Sequence, residues 1–284
     1  MPNDVAEVAA AVSSGAAAVA RRMNRRQRAA APRGHKTVAP HVTLSESDGV
    51  RYLHFGTEWV QGAMRIARPF ALELEYQQQM MAPLLFLPQP RRIVQLGLGA
   101  GALAKFCYRE LPAAEITVVE ISEIVVDTAR RWFKLPPDDA RLAIELADAR
   151  DFISHPRRRR CADWLQVDLY DAQARGPVYD DVDFYAACRR ALAGPGVAAF
   201  NLFGRSFGPS FDAIARAFDD RALVLAEADA GNRIVLCFNG PPLAVAYAEL
   251  YEAARAIEAR HRLPARKWVS GLRAENGDGD WLEI

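Results

Sequence analysis

The sequence predicts an α/β fold of the doubly wound kind, a mostly parallel sheet with helices on both faces, preceded by a small N-terminal β-domain. Three observations predict it. From residue 91 to about residue 240, strand-like and helix-like segments alternate without a break, the pattern of a parallel sheet covered on both sides. The first strand of the series, IVQLG, runs into Gly97, Gly99 and Gly101 and then into a helix-like segment, the context in which a glycine turn approaches a nucleotide-like ligand. The last two strands are separated only by DAGN, Asp229 to Asn232. That leaves no room for a crossover helix, so they form an antiparallel hairpin at the sheet edge.

Taken in order, residues 1–40 read as a peripheral helix or tail ending in the linker APRGHKTVAP. Residues 41–88 hold the small β-domain and a linking helix. Asp48-Gly49 is a hairpin turn signal, and Val50, Tyr52 and His54 alternate with Arg51 and Leu53. ALELEYQQQMMAPLLFL, from Ala71, reads as a helix ending near Pro88 and Pro90. Residues 89–240 form the ligand-binding domain. IVQLG leads to ALAKFCYREL, and EITVVE to SEIVVDTARRWF, which Ser122 caps. RLAIEL leads to DARDFI, and ADWLQVD through a loop to DFYAACRRAL. GVAAFNLF, a helix from about Pro209 to Phe218, ALVLAEA and RIVLCFN complete the series. Residues 241–284 are a helical extension in which PPLAVAYAELYEAARAIEARHRL reads as one long helix. Five βα units closed by an antiparallel hairpin is the order of the S-adenosylmethionine-dependent methyltransferase-like type of this fold.

Composition removes several functional classes. Of 284 residues, 51% are apolar and 25% charged, and the formal net charge is +1, so no global field calls for nucleic acid or a membrane surface. Cys107, Cys161, Cys188 and Cys237 are far apart and the five histidines are scattered. That spacing predicts no metal site, no disulfide framework and a reduced, cytoplasmic chain. No apolar run reaches the roughly 18 residues of a membrane span. The alanine-rich N-terminus precedes its arginines, the reverse of a secretory signal. RRMNRRQR and the run Arg157 to Arg160 could touch an anionic surface, but read more simply as solvated segments.

The glycine turn is not a phosphate-binding P-loop, because no Gly-Lys-Ser/Thr follows it. The next strand ends in Glu120, where a carboxylate accepts from both ribose hydroxyls of an adenosine moiety. That suits a nicotinamide dinucleotide or an adenosyl sulfonium equally, and an exposed helix-leading glutamate is the plain alternative. The third strand ends in LADAR, which sets Asp148 beside the adenine. An acid there, together with the edge hairpin, points to the sulfonium rather than to a pyrophosphate.

The fourth strand ends at Asp168, with Asp171 three residues on and Asp180, Asp181 and Asp183 beyond. Such an acidic mouth at the carboxyl end of a strand suits a polycationic substrate, although Asp181 or Asp183 can equally cap the following helix.

From about Val42 to Asn239 the chain resembles the polyamine aminopropyltransferase family, the spermidine and spermine synthases. The residues that carry the resemblance are VQLGLGAG, Glu120, Asp148-Ala149, D168-L-Y-D171, Gly176-Pro177 and Phe184-Tyr185. GTEWVQG resembles the segment whose glutamine contacts the adenosyl cofactor, here Gln61. EYQQQMM resembles the segment whose tyrosine borders the amine site, here Tyr76. The resemblance implies aminopropyl transfer from decarboxylated S-adenosylmethionine to a di- or polyamine, without a metal. It makes Asp168 the proton acceptor, with Tyr76 orienting the amine and Asp171 holding its charge. Gln61, Gly97, Gly99, Gly101, Glu120, Asp148, Ala149 and Pro177 would hold the co-substrate. The resemblance also implies a homo-oligomer, a dimer first, since family members commonly form dimers or tetramers. Two positions depart from the pattern: the family's G-G-G-D-G-G aspartate is Ala100 here, and the proline after its D-x-x-D is Ala172.

Three other readings stand beside this one. A methyltransferase using S-adenosylmethionine is favoured by Ala100 and disfavoured by the acidic mouth. A regulatory protein would keep the adenosyl pocket without turnover. Nicotinamide-dependent oxidoreduction comes last.

Overall fold

The computed structural model of the chain describes residues 41–171, 176–203, 207–228, 231–277 and 279–284. The expected tail over residues 1–40, with RRMNRRQR, lies outside the described residues, as does Ala172.

The N-terminal unit is a three-stranded antiparallel sheet of β1 (Val42–Ser47), β2 (Val50–Phe55) and β3 (Gly62–Arg65). Its first turn holds Asp48 at φ 53° and Gly49 at φ 73°, two left-handed residues whose twist matches the flanking strands. Leu53 and Met64 turn inward to pack with Ala100 and Phe133, which fastens this sheet onto the next unit.

The helix expected from Ala71 is broken in two. A short α1 (Glu75–Gln79) is followed by a 3-10 turn over Ala82–Leu85. Pro83 lacks an N–H and its ring opposes the carbonyl four residues back, so the α-helix stops and the chain tightens.

The large sheet runs in the order β6-β5-β4-β7-β8-β10-β9. β4 (Arg92–Leu96), β5 (Glu115–Glu120), β6 (Leu142–Leu146), β7 (Ala162–Val167) and β8 (Leu192–Phe203) are parallel. β10 (Asn232–Asn239) lies antiparallel between β8 and the edge strand β9 (Ala222–Val224), which is the expected hairpin. Adjacent residues of a buried strand face opposite layers, and Ile93 and Val94 accordingly enter different cores. One core packs α2 (Ala102–Glu110) and α3 (Glu123–Trp132) on the sheet. The other packs α4 (Ala149–Ser154), α5 (Val182–Ala191) and α6 (Phe207–Ala217). Ser122 caps α3 as expected, its hydroxyl accepting from the Val125 N–H at 3.4 Å.

The C-terminal extension also departs from the single helix expected. β11 (Ala244–Ala246) pairs with β12 (Trp281–Glu283), and α7 (Tyr247–His261) stops at Arg262, whose φ is 58°. A second helix, α8 (Ala265–Asn276), follows Pro264. Leu250 and Trp268 bury against the first core. Asn276 also closes the sheet edge: its side chain accepts from Val224 N–H at 2.9 Å and donates to the Val224 carbonyl at 2.8 Å. An edge strand whose backbone is satisfied in this way offers less to a passing strand.

Within the arginine run, Arg158 is not merely solvated. It pairs with Glu145 at 2.5 Å and lies over the Phe152 ring. Among the described residues no helix is long and apolar enough to cross a membrane and no group of side chains could hold a metal ion. The four cysteines are free.

Candidate active site

The strand order reverses between β4 and β7, and their carboxyl ends leave the sheet side by side. Asp168 N–H donates to the Leu96 carbonyl at 3.0 Å, while Gly97 N–H donates to the Val119 carbonyl at 2.9 Å. Gly97 has φ +92°, and a β-carbon there would stand 2.2 Å from the Asp168 carbonyl oxygen. Only glycine meets both demands. The loop before β3 lies across the same turn. A β-carbon on Gly99 would come within 3.2 Å of the Gln61 carbonyl, and one on Gly62 within 2.6 Å of the Ala100 methyl. Gly101, by contrast, is the left-handed N-cap of α2 and faces Leu135 and Leu98 rather than the site.

Asp168 follows β7 directly, its backbone against Gly97 of this turn, and it is only partly exposed. Tyr76 donates its phenol to Oδ2 at 3.4 Å, and Asn201 donates Nδ2 to Oδ1 at 2.8 Å. Asn232 Nδ2 in turn donates to Asn201 Oδ1 at 2.9 Å, and the Tyr170 phenol donates to the Asn201 carbonyl at 3.2 Å. Gln77 Nε2 donates to the Tyr76 oxygen at 3.3 Å. Desolvation holds the Asp168 carboxyl above the usual range, and the hydrogen bonds from Asn201 and Tyr76 pull it partly back. The phenols of Tyr76 and Tyr170 are pushed well up, by burial first and then by the Asp168 charge.

Glu120 ends β5 with both carboxylate oxygens engaged. One accepts from Leu98 N–H at 3.0 Å, the other from Ser122 N–H at 2.9 Å. Burial raises its carboxyl, against the pull of those backbone N–H groups. Asp148 caps α4, accepting from the N–H groups of Arg150 and Asp151, and its other oxygen accepts from the Tyr179 phenol. Ala149 is buried in the first turn behind it. Ile121, just past β5, Leu146, the last residue of β6, and Val178 are exposed apolar residues. Pro177 follows Gly176, which is pressed against Tyr170: a β-carbon on Gly176 would stand 2.6 Å from the ring.

The structure therefore brings Tyr76, Asp168, Gly97, Gly99 and the Gln61 loop to one place. Glu120 stands at the neighbouring strand end, tied to the turn through Leu98 N–H; Asp148 caps the following helix with Ala149 buried behind it, and Pro177 lies in the loop after Asp168. It also thins the acidic mouth. Asp180 accepts from the Tyr185 phenol at 2.8 Å and the Ser210 hydroxyl at 2.7 Å. Asp181 caps α5 through Phe184 N–H and pairs with Arg150. Both are occupied in holding helices. Asp183 sits exposed in the first turn of α5, whereas Asp171 closes the described part of the Asp168 loop. Five buried glutamine amide atoms have no hydrogen-bond partner among the described residues, and two of them, Gln61 Nε2 and Gln77 Oε1, belong to the residues around Tyr76 and the glycine turn. A buried polar group without a partner calls for an explanation, and a ligand's polar atoms would supply one at these two positions.

Sequence reasoning missed Asn201, Asn232, Gln77, Tyr170 and Tyr179. An asparagine inside the apolar run GVAAFNLF was the available signal for Asn201, since a buried amide needs partners.

The chain is 31% identical over 239 residues to the polyamine aminopropyltransferase of Chromobacterium violaceum, covering 84% of this chain and 91% of that protein. It is 30% identical over 244 residues to the polyamine aminopropyltransferase of Neisseria meningitidis, covering 85% and 92%. It is 28% identical to the human eEF1A lysine and N-terminal methyltransferase over 66% of this chain, which is 28% of that longer protein. A probable spermidine synthase from Corynebacterium glutamicum superposes with TM-score 0.64 at 22% identity, over 81% of this chain and 91% of that one. Human methyltransferase-like protein 13 in complex with SAH superposes with TM-score 0.58 at 26% identity, over 66% and 92%. No family model matches the chain.

Proposed function

The chain belongs to the polyamine aminopropyltransferase family, and we propose that it moves an aminopropyl group from decarboxylated S-adenosylmethionine to a di- or polyamine. The observation that carries this reading is the Asp168–Tyr76 contact, set beside a glycine turn at the point where the strand order reverses.

The co-substrate would be held by Gln61, Gly97, Gly99, Gly101, Glu120, Asp148, Ala149 and Pro177. The unpartnered Gln61 Nε2 and the buried Glu120 carboxylate suit its polar groups, and the exposed Ile121 and Leu146 suit its ring. When bound, it supplies a methylene carbon made electrophilic by the adjoining sulfonium, with methylthioadenosine as the leaving group. At neutral pH the acceptor arrives as an ammonium ion, which has no lone pair to give. Asp168 accepts one proton from it, and the raised carboxyl makes that transfer better matched than an ordinary aspartate would. Tyr76 orients the nitrogen, and Asp171 balances a second charge of the amine. The new C–N bond forms as the C–S bond breaks, its electron pair stays on sulfur, and the proton on Asp168 passes to solvent. Much of the rate comes from alignment of nitrogen, carbon and sulfur.

Methyl transfer from S-adenosylmethionine is the second reading, and the observation favouring it is the apolar setting of Ala100, where no acid meets the donor's ammonium. The test is calorimetric titration with S-adenosylmethionine, its decarboxylated form and methylthioadenosine, followed by assay of methylthioadenosine release over linear diamines and triamines. Preference for the decarboxylated donor with amine-dependent release is the expected result. Preference for S-adenosylmethionine would transfer the reading to methylation, and binding of none would overturn the co-substrate itself.

A further inference from the structure

Asn201 is only 3% exposed, on a strand whose neighbouring residues are otherwise apolar. Both polar atoms of its side chain are used. Nδ2 donates to Asp168 Oδ1 at 2.8 Å, and Oδ1 accepts from Asn232 Nδ2 at 2.9 Å. The backbone carbonyl is also engaged, by the Tyr170 phenol. Asn201 pairs with Ile234 across the β8–β10 ladder, so Asn232, two residues earlier, is its diagonal neighbour on the same face.

This arrangement fixes which way the amide points. A flipped Asn201 would set its oxygen against the Asp168 carboxylate and its NH2 against the NH2 of Asn232. Two repulsions would replace two hydrogen bonds. β8 and β10 do not need the pair to stay together, because their backbone register runs unbroken from Asn232↔Phe203 to Asn239↔Gly196. A buried amide pair has a desolvation cost that an aliphatic pair lacks. What the amides add is direction at the Asp168 carboxylate.

We infer that Asn201, locked by Asn232, is a positioning residue for the transfer reaction: it turns the Asp168 carboxylate toward Tyr76 and keeps it able to accept the amine proton. The inference rests on the reading of Asp168 as proton acceptor. The titratable groups facing that carboxylate are the phenols of Tyr76, from α1, and Tyr170, from its own loop, and both are pushed above the ordinary phenol range. Neither ionises in the interval where Asp168 does. Titration there therefore reports the carboxylate and the amide that donates to it.

The test follows the Asp168 carboxyl carbon by NMR across pH in the full-length protein, the signal being assigned by its loss in Asp168→Asn. Asn201→Leu, close in size and lacking the donor, is expected to raise that titration by roughly one pH unit, the shift set by losing one hydrogen bond to a charged group. The acid limb of the turnover profile should move up by the same interval, with the rate recovered at higher pH. Asn232→Ala should move both in the same direction by less, and Asn232→Ser, which keeps a donor, should restore most of the difference. An unchanged carboxyl titration in Asn201→Leu overturns the inference, as does a rate reduced equally at every pH. Should Asn201→Leu fail to fold, the Asn232 pair decides by the same criteria. Undiminished turnover in Asp168→Asn would instead sink the proton-acceptor reading, a result separate from the carboxyl titration.

Discussion

Gly62 and Ala100 meet backbone to backbone: a β-carbon added to Gly62 would stand 2.6 Å from the Ala100 methyl and 3.0 Å from its nitrogen. The small N-terminal sheet thus rests directly on the glycine turn, and Ala100 is 3% exposed among Leu53, Met64 and Phe133. The family resemblance places an aspartate at this position, yet here the site is apolar and closed. Ala100→Asp should therefore lower stability by about 2–4 kcal/mol, because a carboxylate is buried without a partner and the contact is overfilled. Urea unfolding checks this. A variant as stable as the parent, with tighter binding of the decarboxylated donor, would show that the acid reaches the ligand after all.

Gly97 is constrained twice, by φ +92° and by the Asp168 carbonyl 2.2 Å from its missing β-carbon. Gly97→Ala is expected to strain the turn and push the Asp168 loop outward. The predicted effect is a loss of about 3 kcal/mol in stability and of about 10²-fold in turnover, since small displacements of an aligned group are costly. Thermal melts and turnover on the same preparation test it; a normal rate would mean the loop position is immaterial.

These two contacts show where the sequence is legible and where it stops. The hairpin at Asp48-Gly49, the strand–helix alternation and the Ser122 cap follow from local chemistry, and each appears at its expected place. Asp168 and Tyr76 were recognisable from separate motifs, but their contact spans 92 positions. Pro83 was visible, yet the apolar run around it masked the break it makes. α8 is not legible as a separate helix because the helical pattern before it continues through Arg262, where a left-handed residue ends α7. The surroundings of Ala100 depend on Gly62, and those of Asn201 on Asn232. No periodicity within a segment encodes such pairs.

Asp168→Asn is expected to lower turnover by at least about 10²-fold while leaving donor binding nearly intact. It should also stabilise the protein. Desolvation raises the folded-state pKa of Asp168, so its contribution to stability is fully present below the unfolded pKa, near pH 4, and is lost as pH rises through the folded value. Asparagine carries no such loss. The variant should be more stable than the parent at neutral pH, and the difference should vanish below about pH 4. Denaturant midpoints at the two pH values test the sign; a variant less stable at both would mean that the carboxylate is an anchor of the fold.

Lys105 sits in the first turn of α2, just past the glycine turn, and is 1% exposed. Its ammonium donates to the Phe133 carbonyl at 2.6 Å, at the C-terminal end of α3, and no carboxylate pairs with it among the described residues. Arg51 reaches the adjoining Trp132 carbonyl, so two cations meet the negative end of one helix. Burial nevertheless depresses the Lys105 amine to about 7. An unfolded lysine titrates near pH 10.4. Between these values the unfolded chain carries a proton that the folded chain lacks, so this residue makes stability rise with pH across that interval. Lys105→Met removes the titration but leaves the Phe133 carbonyl without its donor, a loss of about 1–3 kcal/mol. The parent should therefore gain on the variant by on the order of 3 kcal/mol between pH 6.5 and 9.5. Paired urea unfolding at those two pH values is the measurement. Curves that stay parallel would mean that the helix end keeps Lys105 charged, with the carbonyls of Trp132 and Phe133 replacing the water it has lost.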